Sequence, residues 1–143
     1  MKKVFVSGAF NVLHAGHIQF FKEARALGDY LIVSYPPADL LWKLYDKKSV
    51  LDDADKHAVL SSISYIDEVI LSTDEDAALS FRAAFLQTQP DILAVTTDDL
   101  YIDAKKKLCQ ETGAQLVVLE KSAPEGKSTS STQVVERIKA PVH

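Results

Sequence analysis

The chain has 143 residues, of which 47% are hydrophobic and 25% are charged, and its formal net charge is -4. This length and composition are those of an ordinary globular protein whose core is large enough to fold without disulfides or metals. The mild negative charge gives no electrostatic support for a general nucleic-acid-binding role.

Cysteine usage and the apolar runs bear on cellular location. Cys109 is the only cysteine, which excludes an intrachain disulfide framework and fits a reducing compartment. We expect it to be a half-buried apolar residue of a helix. No signal peptide precedes the first predicted strand, and no apolar run approaches the length that crosses a membrane. We therefore expect a cytoplasmic protein without a membrane partner.

Short apolar runs alternate with helical patterns along the chain, which predicts an α/β fold. The runs predict five strands, at 4–6, 30–35, 69–71, 92–95 and 116–119. Between and after the strands we predict five helices. The first starts after His17 with Gly28 as its C-cap, the second runs from Asp52-Asp53 to Ile66, and the third opens at Asp74-Glu75-Asp76. The fourth runs from Leu100 to Thr112 and is closed by Gly113, and the fifth runs from Ser131 or Thr132 to Ile138. Residues 38–44 could add a short helix.

The strand runs are almost continuously apolar, which is typical of parallel strands covered on both faces. They predict a Rossmann-like open parallel sheet of five strands in the order 3-2-1-4-5, with helices on both faces. No linker or internal repeat divides the chain, so we expect one domain over residues 1–143. Ligands of such sheets bind at the carboxyl ends of the strands.

The segment that follows the first predicted strand lies where this rule expects a ligand. Ser7-Gly8-Ala9 makes a small-residue turn, and His14 and His17 follow beside the start of a helix. Backbone N–H groups at such a turn, together with the helix dipole, favour an anion. We therefore expect a phosphate-handling site here. A zinc site is the weaker interpretation, because no cysteine or third histidine is positioned to complete it.

Residues 8–17 read Gly-Ala-Phe-Asn-Val-Leu-His-Ala-Gly-His and resemble the signature of the cytidylyltransferase-like nucleotidyltransferases. Similar members include glycerol-phosphate cytidylyltransferase, the nucleotidyltransferase half of ADP-heptose synthase and archaeal FAD synthetase. The resemblance continues at four further segments, 24–33, 65–70, 90–93 and 130–138.

The resemblance implies a nucleotidyltransferase that moves a nucleoside monophosphate from an NTP to a phosphate or phosphonate group of a small metabolite, releasing pyrophosphate. Overall likeness to the glycerol-phosphate enzymes favours CMP as the transferred group, with Mg²⁺ as cofactor. An adenylyltransferase of the same fold is the alternative. A third possibility is a catalytically weakened relative that binds a nucleotide or a protein partner.

The resemblance also implies roles for particular residues. His14, His17 and Lys56 would be catalytic. The nucleotide would be bound by Ser7, Gly8, Ala9, Phe10, Thr96, Asp98, Ser130, Ser131 and Thr132. The substrate or its phosphate would be bound by residues among Asn11, Lys43, Lys47, Lys121 and Lys127.

Several of these positions depart from the family pattern, and for them a structural or solvent-exposed role without function stays open. Asn11 stands where Asp is usual, and Lys56 replaces an arginine. Residues 96–99 replace a Gly-Asp turn, and Lys121 or Lys127 could substitute for a second missing arginine or be ordinary solvated lysines. Lys43, Lys47 and Lys48 are equally consistent with a solvated loop.

Many small relatives pair through helices beside the active site, which implies a homodimer. Trp42 and the neighbouring Leu40-Leu41 could lie in such an interface or in the core.

Overall fold

The computed structural model describes residues 1–120, which form a parallel sheet with helices on both faces. Its strands are β1 (Lys3–Ser7), β2 (Tyr30–Tyr35), β3 (Glu68–Leu71), β4 (Ile92–Thr96) and β5 (Gln115–Leu119). Its helices are α1 (Ala15–Arg25), α2 (Ala38–Tyr45), α3 (Asp53–Ser61), α4 (Arg82–Thr88) and α5 (Ile102–Thr112). The strand order is β3-β2-β1-β4-β5, which confirms the predicted order and places β1 at the centre.

The apolar run of β1 is buried on both sides because the two faces of the sheet carry separate cores. Val4 and Val6 pack with Phe21 of α1, whereas Phe5 packs with Phe85 of α4. Successive side chains of a strand point to opposite faces, so a continuous apolar run is what a doubly covered strand requires. The carboxyl end of β1 is thereby fixed between β2 and β4.

Both boundaries of α1 differ from the sequence prediction. Helix α1 begins at Ala15 rather than after His17, so His17 belongs to its first turn. The helix ends at Arg25 with Ala26 as its C-cap, so the predicted capping role of Gly28 is wrong. Gly28 is instead required by close packing, because a Cβ there would lie 2.6 Å from the carbonyl oxygen of Lys2.

Helix α3 starts as predicted but is shorter. The carboxylate of Asp52 accepts a hydrogen bond from the backbone N–H of Asp55 at 2.8 Å, which caps the helix. The helix ends at Ser61, and the chain then reaches Ile66 through successive tight turns. Ile66 is buried in the core, so its apolar character reflects packing in a loop rather than a helical face.

The prediction of a helix opening at Asp74-Glu75-Asp76 is wrong. Helix α4 begins only at Arg82. The carboxylate of Asp74 accepts from the N–H of Ala83 at 2.7 Å, and that of Asp76 accepts from the N–H of Ala78 at 2.9 Å. A short acidic side chain such as Asp76 competes with helix formation by bonding the nearby backbone in this way. Asp74 instead ties the loop between β3 and α4 to the first turn of α4.

The apolar residues of α2 divide between core and surface. Leu40 and Leu41 are buried, whereas Trp42 is 60% exposed. Cys109 is buried in α5 more deeply than expected, and burial raises the pKa of its thiol. The homodimer stays a prediction, with Trp42 the exposed member of the three candidate interface residues. None of the helices within residues 1–120 has the length and apolarity needed to traverse a bilayer.

Candidate active site

The turn after β1 is shaped by a phenylalanine that folds back over a glycine. Phe10 has a positive φ of 46° and is buried, with its ring 5.2 Å from that of Phe21. A Cβ on Gly8 would lie 2.8 Å from the Cζ atom of Phe10. Glycine is therefore needed at position 8 because the ring of Phe10 occupies the space of a side chain. The small-residue turn is a packed structure rather than an open loop.

The two histidines cap the helix that follows this turn. The Nδ1 atom of His14 accepts a hydrogen bond from the N–H of Gly16 at 3.0 Å. The Nδ1 atom of His17 accepts one from the N–H of His14 at 3.2 Å. The pair forms a capping box, with histidine in both positions usually taken by Ser or Thr and by Glu or Gln. Their ring centroids are 4.1 Å apart.

These bonds decide the tautomer of both rings. A ring nitrogen that accepts a hydrogen bond carries no hydrogen, so each neutral imidazole must carry its hydrogen on Nε2. Two Nε2–H donors are thus held side by side at the N-terminus of α1, where the helix dipole favours negative charge. The arrangement suits the recognition of phosphate oxygens.

Lys56 lies beneath the same turn and is fully buried. Its Nζ atom donates to the carbonyl oxygen of Ala9 at 3.0 Å and lies 5.9 Å from the centroid of the Tyr35 ring. Burial lowers the pKa of this lysine, while the charge of Asp53 opposes that shift. The structure thus brings Lys56 to the predicted site, where its ammonium group is bonded to the backbone of the turn.

Asn11 connects the turn to the loop that follows α2. Its side-chain amide donates to the carbonyl oxygen of Lys48 at 3.0 Å and accepts from the N–H of Val50 at 2.8 Å. Both ends of the amide are therefore engaged with this loop. A carboxylate could make only the accepting half of this pair, which accounts physically for asparagine at the position.

A cavity of about 670 Å³ opens beside the turn. Ser7, Gly8 and Ala9 form one part of its wall, and the C-terminal half of α2 forms another. Two of the predicted substrate lysines, Lys43 and Lys47, also line it. Lys43 forms an exposed ion pair with Glu75 at 2.8 Å, an arrangement that contributes little stability and that a ligand can displace.

The segment after β4 reaches the cavity through residues that the sequence analysis did not single out. The predicted nucleotide-binding pair is joined by a hydrogen bond of 2.6 Å from Thr96 Oγ1 to Asp98 Oδ1. The cavity itself is lined by Asp99, Leu100 and Tyr101. Leu100 is 89% exposed, and no motif of the sequence marks it as a binding residue.

A buried ion pair anchors this second segment. Lys105 of α5 is paired with the carboxylate of Asp99, with their side chains 9% and 12% exposed. The other carboxylate oxygen of Asp99 accepts from the N–H of Tyr101 at 2.8 Å. Lys105 also lies 5.6 Å from the ring centroid of Phe81. These contacts hold residues 99–101 against the cavity.

The remaining predicted site residues lie outside the described part of the chain. They are Lys121, Lys127, Ser130, Ser131 and Thr132, together with the predicted last helix. Within residues 1–120, no group of three or more His, Cys, Asp or Glu side chains could hold a metal ion.

Comparison with known proteins identifies the family of this chain. A model of the cytidylyltransferase-like family matches residues 5–137. The FAD synthase of Picrophilus torridus is 29% identical over 95% of this chain and 95% of its own length. The bifunctional protein HldE of Helicobacter pylori strain P12 is 33% identical over 96% of this chain, which spans only 28% of HldE.

A solved structure shows the same architecture. The lipopolysaccharide core biosynthesis protein of Thermoplasma volcanium is 25% identical and superposes with a TM-score of 0.71, over 87% of this chain and 99% of that protein. The match of the family over nearly the whole sequence, the sheet order and the paired histidines lead to one conclusion. The chain belongs to the cytidylyltransferase-like family of nucleotidyltransferases.

Proposed function

We propose that this protein transfers a nucleoside monophosphate from an NTP to a phosphate or phosphonate oxygen of a small metabolite. The acceptor oxygen attacks the α-phosphorus, the bond from that phosphorus to the α,β-bridging oxygen breaks, and pyrophosphate leaves with the electron pair. The observation that carries the proposal is the pair of imidazoles whose Nδ1 atoms accept backbone N–H groups, which directs both ring hydrogens to Nε2.

The chemistry asks for positioning and charge stabilisation rather than for a strong base. A phosphate oxygen is already anionic at neutral pH, so no group of the protein has to remove a proton from it. His14 and His17 would donate to phosphate oxygens on which charge builds up as the bond to pyrophosphate breaks. Lys56 would keep the turn in place through the carbonyl of Ala9. Fixed donors of this kind need no reorganisation during the reaction.

AMP is the transferred group that we propose first. The FAD synthases that match this chain match it over most of their own length, and the product that names them contains an adenylyl group. CMP transfer, which the sequence analysis favoured, is the second candidate, and the description of the matching family supports it.

Mg²⁺ is proposed to arrive with the nucleotide. Magnesium in nucleotide sites is commonly held by the substrate's phosphates and one or two protein groups. The absence of a three-ligand cluster within residues 1–120 fits such a shared ion better than a cage built by the protein. The ion would supply charge neutralisation for the triphosphate.

Pyrophosphate release from each of the four NTPs, with Mg²⁺ and a panel of phosphorylated acceptors, tests the proposal. We expect release with ATP and with at least one acceptor, and a marked fall in the His14→Asn variant. Release with CTP alone would select the second candidate. If no NTP supports release while ATP still binds, the weakened relative that only binds a nucleotide is the correct interpretation.

A further inference from the structure

The size and lining of the cavity beside the turn indicate what kind of acceptor it can hold. Its walls come from the turn after β1, the C-terminal half of α2, the loop before α4 and the start of α5. Its volume of about 670 Å³ falls in the middle of the range of drug-sized ligand pockets, roughly 300–1,000 Å³. A three-carbon acceptor would leave most of this space to water.

Three hydrogen-bonding side chains of the walls, those of Tyr45, Ser72 and Asp99, are committed to the protein. The hydroxyl of Tyr45 donates to the carbonyl of Ala77 at 2.6 Å. The hydroxyl of Ser72 shares a bond of 2.6 Å with that of Ser34. Asp99 is engaged by Lys105 and by the N–H of Tyr101. A ligand hydroxyl that is buried against these three side chains would have to compete with the bonds that they already make, and a buried hydroxyl that stays unpaired costs free energy.

The apolar groups of the walls, in contrast, are available. Leu100 projects with 89% of its surface exposed, and Tyr101 beside it is 37% exposed. Tyr45 lies across from them, near enough for the charge of Tyr101 to contribute to the raised pKa of its phenol, although burial is the larger cause. Leu44, which is partly exposed, adds further apolar surface. An occupant with apolar faces would remove this surface from water.

Positive charge lies at the same cavity. Lys47 lines it and has no ion pair or hydrogen bond with the part of the chain that the structure describes, 1–120. The turn that precedes the histidine-capped helix also lines it, through Ser7, Gly8 and Ala9. An anionic group and an apolar body can therefore be bound together.

We propose that the acceptor is a phosphate monoester whose body is a flat, largely apolar ring system, bound between Tyr45 and the Leu100-Tyr101 wall. This inference rests on the proposed function, since it names the acceptor of that reaction. It disfavours small polyol phosphates and sugar phosphates. It also assigns a specificity-determining role to Leu100 and Tyr101.

Titration calorimetry without turnover tests the acceptor class directly. The probes are FMN as a flat-ring phosphate monoester, and glycerol 3-phosphate and glucose 1-phosphate as polyol and sugar phosphates. Each titration is run with and without α,β-methylene-ATP, whose α–β linkage cannot be broken. We expect FMN to bind at least tenfold more tightly than either other probe, under at least one of the two conditions.

Matched serine substitutions locate the binding wall. Leu100→Ser and Tyr101→Ser should each weaken FMN binding about threefold to tenfold, since each removes part of the apolar surface that the ring covers. Leu86→Ser is the control, because Leu86 is a 44% exposed leucine of α4 outside this cavity, and it should leave binding unchanged. Melting temperatures of all three variants exclude a loss caused by unfolding.

The outcomes separate this inference from the proposed function. Tighter binding of glycerol 3-phosphate or glucose 1-phosphate than of FMN would overturn it, as would an FMN affinity that is undetectable or no weaker in Leu100→Ser than in Leu86→Ser. FMN binding at the Leu100-Tyr101 wall without pyrophosphate release from any NTP would support the inference and contradict the proposed function. Pyrophosphate release with glycerol 3-phosphate as the only productive acceptor would support the proposed function and contradict the inference.

Discussion

The two turns that follow β1 and β4 lie at the ends of neighbouring strands, and each is held by a buried lysine from a following helix. Lys56 of α3 donates to the carbonyl of Ala9 after β1. Lys105 of α5 pairs with the carboxylate of Asp99 after β4. The positive charge of Lys56 is therefore balanced mainly by a backbone dipole and an aromatic face, and that of Lys105 by a full negative charge.

The difference separates the chemistry from the selection of the substrate. The turn after β1 is closed by Phe10, by the histidine cap and by Lys56, so its polar groups are fixed in advance. The turn after β4 is anchored only at its base, and its tip exposes Leu100 to the cavity. A rigid turn suits a transition state whose charge pattern is constant, whereas an exposed wall can change with the acceptor.

Removing the ring donors should give the largest effect. His14→Asn and His17→Gln keep side chains that can complete a capping box but remove the imidazole Nε2–H groups. We expect each to lower turnover by about 10²–10³, the cost of one lost donor to developing charge. Pyrophosphate release and thermal melting of the same variants provide the measurement.

The alanine variants provide the control for this prediction. His14→Ala should also lose about 1 kcal/mol of stability, because it removes an N-cap. The capping bonds of His14 are the reason that a loss of stability should accompany the loss of turnover in this variant. Near-normal turnover in His14→Asn and His17→Gln would mean that the histidines serve only as helix caps.

Breaking the second anchor should mainly affect stability. Lys105→Met leaves the carboxylate of Asp99 without its cation in a mostly buried place. We expect a loss of about 3 kcal/mol in the free energy of unfolding, near the lower end for a broken buried pair. Urea denaturation measures it, with the exposed neighbour Lys106→Met as the control.

A double variant sharpens this second prediction. Asp99→Asn combined with Lys105→Met removes both charges, so it should be more stable than Lys105→Met alone. If the double variant is no more stable than the single one, the ion pair is not the anchor of the segment after β4.

Crowding the first turn should cost somewhat less. The Cβ of Gly8→Ala would meet the ring of Phe10 at 2.8 Å, and overpacking of this kind costs about 1–3 kcal/mol. Phe10→Leu in the same chain should recover part of the loss by relieving the contact, as chemical denaturation would report. A Gly8→Ala protein as stable as the wild type would show that the ring of Phe10 moves freely.

The fold was predictable because its signals are local and repeated. The apolar run at β1 and the alternation of strands with helices led to the correct sheet order. The errors arose where polar side chains have two possible uses. Asp76 is typical of a helix start but bonds the backbone of a loop at Ala78, whereas Asp74 bonds the N–H of Ala83 in the first turn of α4 from outside that helix. His14 and His17 were predicted as catalytic residues, and they also cap α1.

The site was predictable on the side of β1 and not on the side of β4. The turn at 7–10 and both histidines follow directly from a motif of fixed spacing. Leu100 and Tyr101 belong to no motif, and their role depends on a cavity that α2 and the loop before α4 close from elsewhere in the chain. Only the three-dimensional arrangement brings them to the same wall as Ser7.

The smallest expected effect is a pH dependence of the free energy of unfolding that comes from Lys56. Burial lowers the pKa of Lys56 below 10.5, with Asp53 opposing the shift. Between the lowered pKa and 10.5 the unfolded chain binds more protons than the folded one, so the free energy of unfolding should rise with pH in that window.

The comparison is with Lys56→Met, in which the group is absent, and with Lys56→Arg, which keeps its charge throughout. Tyr35 lies against Lys56 in all three proteins, and burial raises the pKa of its phenol, so its own titration largely cancels in the difference. Urea denaturation at several pH values from 7 to 10.5, the ordinary pKa of lysine, should show the wild type gaining stability relative to both variants. A gain that is equal in the wild type and in Lys56→Arg would contradict the assignment of the dependence to Lys56.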